Sequence, residues 1–139
     1  MYRKLSLMTI LVLVLALTVG TGAQEEPIRI GLLTDTSGPL TIYGVELQNG
    51  FELGMDYATD GTMEIAGRPV EILVRDNASD PDTAASQARE LIEREGVEIL
   101  VGTVSSGVTV QLQSIAQDFD VILMAGPAAS RRSPGRCSE

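Results

Sequence analysis

Histidine is absent from this 139-residue chain, Lys4 is its only lysine and Cys137 its only cysteine. Those gaps remove whole classes of chemistry. A Ser-His-Asp relay, a histidine-held zinc, a Schiff-base lysine and a phosphate-loop lysine each need a side chain that residues 24–139 do not carry. One cysteine cannot close an internal disulfide. Positive charge is scarce as well: 10 Lys and Arg against 19 Asp and Glu give a net charge of −9. Such a chain is expected to avoid nucleic acid and anionic membrane surfaces. Internal repeats and low-complexity tracts are also missing. Carboxylates remain for acid–base work, but most fall on helix faces, and no pair of them stands out. The expectation is a protein that is not an enzyme and holds neither cofactor nor metal.

The N-terminus carries the one long apolar run. Tyr2-Arg3-Lys4 precedes about fifteen mostly apolar residues, and Thr21-Gly22-Ala23 supplies small residues before Gln24-Glu25-Glu26. A basic start, a short apolar run and small residues mark residues 1–23 as a signal peptide cleaved near Ala23. The run is shorter than the roughly twenty residues a spanning helix needs, so stable membrane insertion is not expected after cleavage.

Short apolar runs then alternate with helical patterns. Residues 27–34 (P-I-R-I-G-L-L-T) suit a first strand. From Tyr43, Leu47, Phe51, Gly54, Met55 and Ala58 recur on one helical face, with Gly50 and Gly54 read as points where helix packs closely on sheet, and Asp60-Gly61 closing it. Residues 64–69 read as a loop or short hairpin, and residues 70–74 (V-E-I-L-V) as the second strand. Asp80 fits a helix N-cap with Pro81 in the first turn. Ala84, Ala88, Leu91 and Ile92 form the buried stripe of that helix, and Gly96 ends it. Residues 99–101 (I-L-V) make a third strand. Val108, Leu112, Ile115, Ala116 and Phe119 mark a third helix, and residues 121–124 (V-I-L-M) a fourth strand.

This alternation predicts an α/β fold, a doubly wound parallel sheet covered on both faces. Ligands in such sheets bind beyond the carboxyl ends of the strands. Three small-residue turns fall there, at residues 34–39, 102–107 and 126–130, all rich in serine, threonine and glycine. Gly102-Thr103-Val104-Ser105-Ser106-Gly107 lacks the glycine spacing of a dinucleotide site. A helix start edged with hydroxyls can hold a small carboxylate through neutral donors.

The order I-R-I-G-L-L-T-D-T-S-G-P-L-T-I-Y-G, D-N-A-S-D-P, A-R-E-L-I, V-G-T-V-S-S-G-V-T and G-P-A-A-S resembles the periplasmic branched-chain amino acid binding proteins, the leucine/isoleucine/valine-type components of ABC importers. The resemblance runs from Ile28 to Ser130. It implies the N-terminal lobe of a class I two-lobe fold that closes on its ligand. It also implies a soluble periplasmic protein with two partners, a small amino acid (or a related amide or carboxylate) and the permease subunits of an ABC transporter. Matched residue by residue, Ser106 is the hydroxyl that meets the ligand's charged end, Ala128 a main-chain contact, Ser130 a second hydroxyl, Tyr43 an aromatic wall of the side-chain pocket and Thr109 a further contact. Each has a plainer alternative. Ser106 serves equally as a helix N-cap, Ser130 as a turn former and Tyr43 as a packing residue. Asp35 reads as a solvated turn residue and Asp76 as an Asx-turn former.

Residues 131–139 (R-R-S-P-G-R-C-S-E) lose all periodicity. They are expected to be a disordered tail outside the family pattern, which leaves residues 24–130 as the lobe and the chain as a fragment. Two other readings follow from the same residues, an inactive truncated remnant and the sensing lobe of a receptor of this fold.

Overall fold

The computed structural model describes residues 25–128. The expected signal peptide and the tail at 131–139 lie outside them. In chain order the elements are β1 (Ile28–Thr34), α1 (Thr41–Ala58), β2 (Glu64–Ile65), β3 (Arg68–Asp76), α2 (Pro81–Glu93), β4 (Ile99–Val101), α3 (Ser106–Asp118) and β5 (Ile122–Met124).

The strands form one five-stranded sheet in the order β2-β3-β1-β4-β5. Strand β1 lies at its centre and pairs in parallel with β3, from Ile28 opposite Val70 to Thr34 opposite Asp76, and with β4 from Ile30 opposite Ile99. The sheet is not wholly parallel, as β2 runs antiparallel to β3. The cause is local: Ala66 and Gly67 both take positive φ, 52° and 83°, the backbone of a tight two-residue hairpin.

Side-chain alternation along β1 divides the core. Ile30 and Leu32 face α1 and join Val70 and Val101, with Phe51 and Met55 packed against them. Leu33 faces the other way, onto Ala84, Ala88 and Leu91 of α2 and Val108, Leu112 and Ile115 of α3. One helix therefore covers one face and two cover the other, which is the doubly wound arrangement. Helix α2 starts as its sequence dictates, with Asp80 accepting from the Thr83 N–H at 2.7 Å and Pro81 in the first turn. Gly96, at φ 68°, turns the chain out of it.

Helix α1 departs from expectation. Gly50 and Gly54 are exposed, with nothing near the place a Cβ would occupy. The close approach is made about two to three turns earlier by Gly44, the only buried residue of α1, where an added Cβ would overlap the main-chain oxygen of Asp35. Leu47, Phe51 and Met55 are half-buried, whereas Ala58 is exposed. Asp35 itself is fully buried and not a solvated turn residue.

Candidate functional site

From β1 the chain leaves through α1 toward β3, and from β4 it leaves through α3 toward β5, on the opposite side. The carboxyl ends of β1 and β4 are thus the switch point of the sheet, where neighbouring connections diverge and open a crevice. A cavity of about 300 Å³ lies there, lined by Leu40, Tyr43, Val104, Ser106 and Pro127. Two larger hollows, of about 340 and 500 Å³, sit on the helical flanks among residues such as Gln113 and Asp120, or Ser86 and Arg89. Neither lies at the switch point, where ligands bind in sheets of this kind, so the crevice is the stronger candidate.

Close packing of the main chain makes the crevice possible. Gly102 ends β4 with φ 121°, and a Cβ there would overlap the main-chain oxygen of Leu33. The Gly126 N–H donates to the Gly102 carbonyl at 3.0 Å, which brings the turn after β5 beside the turn after β4. Residues from all three predicted turns, or from the helix starts that follow them, therefore meet at one place.

The three helix starts differ in a way that matters for ligands. Helix α2 satisfies its own first turn through Asp80. Helix α3 has Ser105 at its N-cap with no side-chain cap hydrogen bond, and its first intrahelical bond runs from the Thr109 N–H to the Ser105 carbonyl at 3.0 Å. The N–H groups of Ser106, Gly107 and Val108 precede that bond and have no helical acceptor. Helix α1 also begins without a side-chain cap, at Leu40. The two uncapped starts are those whose residues line the cavity.

The structure brings Ser106 and Tyr43 together in the cavity wall, Ser106 half-buried and Tyr43 59% exposed. The N-cap role falls to Ser105, and Ser106 is the first helical residue. Thr109 is not in the wall. It is buried, and its hydroxyl lies 3.0 Å from the Ser105 carbonyl and 3.1 Å from the Thr103 hydroxyl, so it secures the turn from below. Ala128 is half-buried beside the wall residue Pro127, and Ser130 lies outside the described residues. Sequence reasoning passed over Leu40, Val104 and Pro127 as wall residues; Val104 and Pro127 lie within two of the predicted turns and Leu40 directly follows the third.

Two aspartates brace the rim. Asp76 forms the expected Asx turn, accepting from the Ala78 N–H at 3.0 Å, and also accepts from the N–H groups of Thr36 and Ser37 at 3.0 and 3.3 Å. Partial burial works against its charge, but these donors outweigh it and hold the carboxyl down to about 2. Burial pushes the Asp35 carboxyl the other way, above the usual carboxylate range, against the hydrogen bond that the Ser79 N–H donates at 2.6 Å. No arginine and no group of three metal-ligating side chains stands in the wall among the described residues.

The profile described as "Periplasmic binding protein" matches residues 27–139. The chain belongs to the periplasmic binding protein family. The match takes in residues 131–139, which the sequence pattern had set apart. Among curated periplasmic binding proteins, the chain is 30% identical over 103 residues to the Leu/Ile/Val-binding protein BraC3 of Rhizobium johnstonii, covering 74% of this chain and 27% of that one. It is 33% identical over 104 residues to Leu/Ile/Val-binding protein homolog 7 of Brucella suis, covering 75% and 26%. The chain thus spans about a quarter of the length of these relatives. Among solved structures, the branched-chain amino acid substrate-binding protein LivJ of Streptococcus pneumoniae, in complex with isoleucine, superposes with a TM-score of 0.71 at 30% identity, over 76% of this chain and 30% of that one. A solute-binding protein of Rhodopseudomonas palustris in complex with 4-hydroxybenzoate superposes at 0.67 and 25% identity, over 75% and 28%. Among the described residues of this periplasmic binding protein, no helix is long and apolar enough to cross a membrane.

Proposed function

We propose that this chain forms one wall of an amino-acid site in a periplasmic solute-binding protein that delivers a branched-chain amino acid to the permease subunits of an ABC importer. The observation that carries the reading is the uncapped start of α3, with Ser106 in the wall of a cavity at the switch point of the sheet. Its free N–H groups and the Ser106 hydroxyl form a neutral anion receptor, fit for the carboxylate of an amino acid. Leu40, Tyr43, Val104 and Pro127 give the apolar surface that a branched side chain would bury. Isoleucine and 4-hydroxybenzoate, the molecules held by two structural relatives, both pair a carboxylate with an apolar body, which supports the same division of labour here. In this reading Ala128 and Ser130 add main-chain and hydroxyl contacts, and Thr109 supports the turn.

The protein works by binding and release, without turnover. It reaches the periplasm through cleavage of residues 1–23, and the second half of the cleft comes from the region that its relatives carry beyond this span. Titration of the full-length protein with L-leucine, L-isoleucine and L-valine by calorimetry tests the reading, and absence of binding to all three overturns it. Replacing the hydroxyl, Ser106→Ala, is expected to weaken binding by about 1.5–3 kcal/mol, the range for a hydrogen bond to a charged group.

A further inference from the structure

We propose that Asp35, buried beneath the cavity and touching no ligand, is a positioning residue that fixes the turn after β3 and the turn after β4 to the end of β1; this rests on the binding function proposed above. Asp35 follows β1 directly and is 0% exposed. Its Oδ1 accepts from the Ser79 N–H at 2.6 Å. Ser79 and the preceding Ala78 both hold left-handed backbone, φ 63° and 51°, which non-glycine residues keep only when their surroundings fix them. The Asn77 N–H donates to the Thr34 carbonyl at 2.9 Å, so this turn is clamped to β1 from both sides of Ala78.

The same residue reaches the two walls of the cavity. Its main-chain oxygen fills the space that the absent Cβ of Gly44 leaves, one residue from Tyr43. Its carboxylate is the neighbour of the Val104 N–H, two residues from Ser106. Tyr43, Val104 and Ser106 are wall residues, so Asp35 stands beside both walls, through its main-chain oxygen on one side and its carboxylate on the other.

The cluster is a poor device for stability alone. Asp35 Oδ2, Asn77 Nδ2 and Ser79 Oγ are all buried without a hydrogen-bond partner among the described residues. Well-packed apolar residues in such a place are commonly as stable or more so. A local rule broken in this way is the pattern of a functional site. The other titratable group facing Asp35 is Asp76, whose negative charge opposes ionisation of Asp35.

The test uses the full-length protein, L-isoleucine as probe and amide hydrogen exchange at the two turns. Asp35→Ala is expected to weaken isoleucine binding roughly tenfold, the equilibrium value of one lost charged hydrogen bond, and to speed exchange at Ser79 and Val104. Asp35→Asn keeps an acceptor for the Ser79 N–H and is expected to recover most of both. It is also expected to flatten the dependence of affinity on pH through the carboxylate range, which a merely space-filling residue would not do. Wild-type exchange at both turns in Asp35→Ala overturns the inference, as does Asp35→Asn behaving no better than Asp35→Ala. Should Asp35→Ala fail to fold, Asp35→Leu fills the same space without an acceptor and is read in the same way. If the wild-type protein binds none of the three amino acids, the binding reading fails by itself, and exchange still decides whether Asp35 positions the turns.

Discussion

At the scale of single residues, the two aspartates differ because their surroundings supply opposite things. Asp76 collects three main-chain N–H groups at the rim. Its carboxyl titrates near 2, well below an unfolded value close to 3.8. Its contribution to stability is therefore complete above about pH 4 and is lost as pH falls through about 2. Asp76→Asn is expected to cost about 1–2 kcal/mol near neutral pH, with allowance for partial exposure. Thermal unfolding at pH 7 and pH 3 checks this, since the gap between wild type and variant should narrow at the lower pH. The sign for Asp35 is reversed. Its raised value favours the protonated, folded form, so its contribution is most favourable below the unfolded value and declines as pH rises through the folded one. The Asx turn at Asp76 was legible because Asp followed by Asn, Ala and Ser is local turn chemistry. The burial of Asp35 was not legible. A charged residue within D-T-S-G-P looks solvated until the turn after β3, more than forty residues later, is folded over it.

At the scale of elements, the clearest signals were local and strongly periodic. The buried stripe of α2, its Asp80 cap and its Gly96 exit all stand where the pattern put them. Residues 64–69 were open to two readings, a loop or a short hairpin, and the structure forms the β2–β3 hairpin there. Helix α1 was harder, because one helix carries Gly44, Gly50 and Gly54, and sequence alone does not say which of them meets the sheet. The structure makes a contrast that unfolding measurements can check. Gly44→Ala drives a methyl into the main chain of Asp35 and is expected to destabilise by about 1–3 kcal/mol. Gly54→Ala adds a methyl in open space on an exposed helical turn and is expected to stabilise by about 0.5–1 kcal/mol. An equal effect at both positions would contradict the packing of α1. For the cavity, the sequence indicated the turns but not which wall residues they present. Leu40, Val104 and Pro127 become a surface only when three strand ends are brought side by side.

At the scale of the whole molecule, alternation of strand and helix was enough to indicate a doubly wound sheet. The antiparallel β2 was the one strand direction it did not contain. Among the described residues β5 is the edge strand, where Ile122 and Met124 are 61% and 56% exposed, and Leu53 and Tyr57 of α1 are also largely open. An exposed apolar edge strand is a template for association. Ile122→Lys in this 139-residue chain is therefore expected to reduce concentration-dependent self-association, read by sedimentation, with little change in circular dichroism. The open start of α3 has a consequence of another kind. Its donors are main-chain N–H groups, which no codon specifies and which only a proline removes. In the binding function proposed above, recognition built on them survives amino-acid drift around it, so the apolar wall is free to diversify while a grip on a carboxylate would be inherited with the fold.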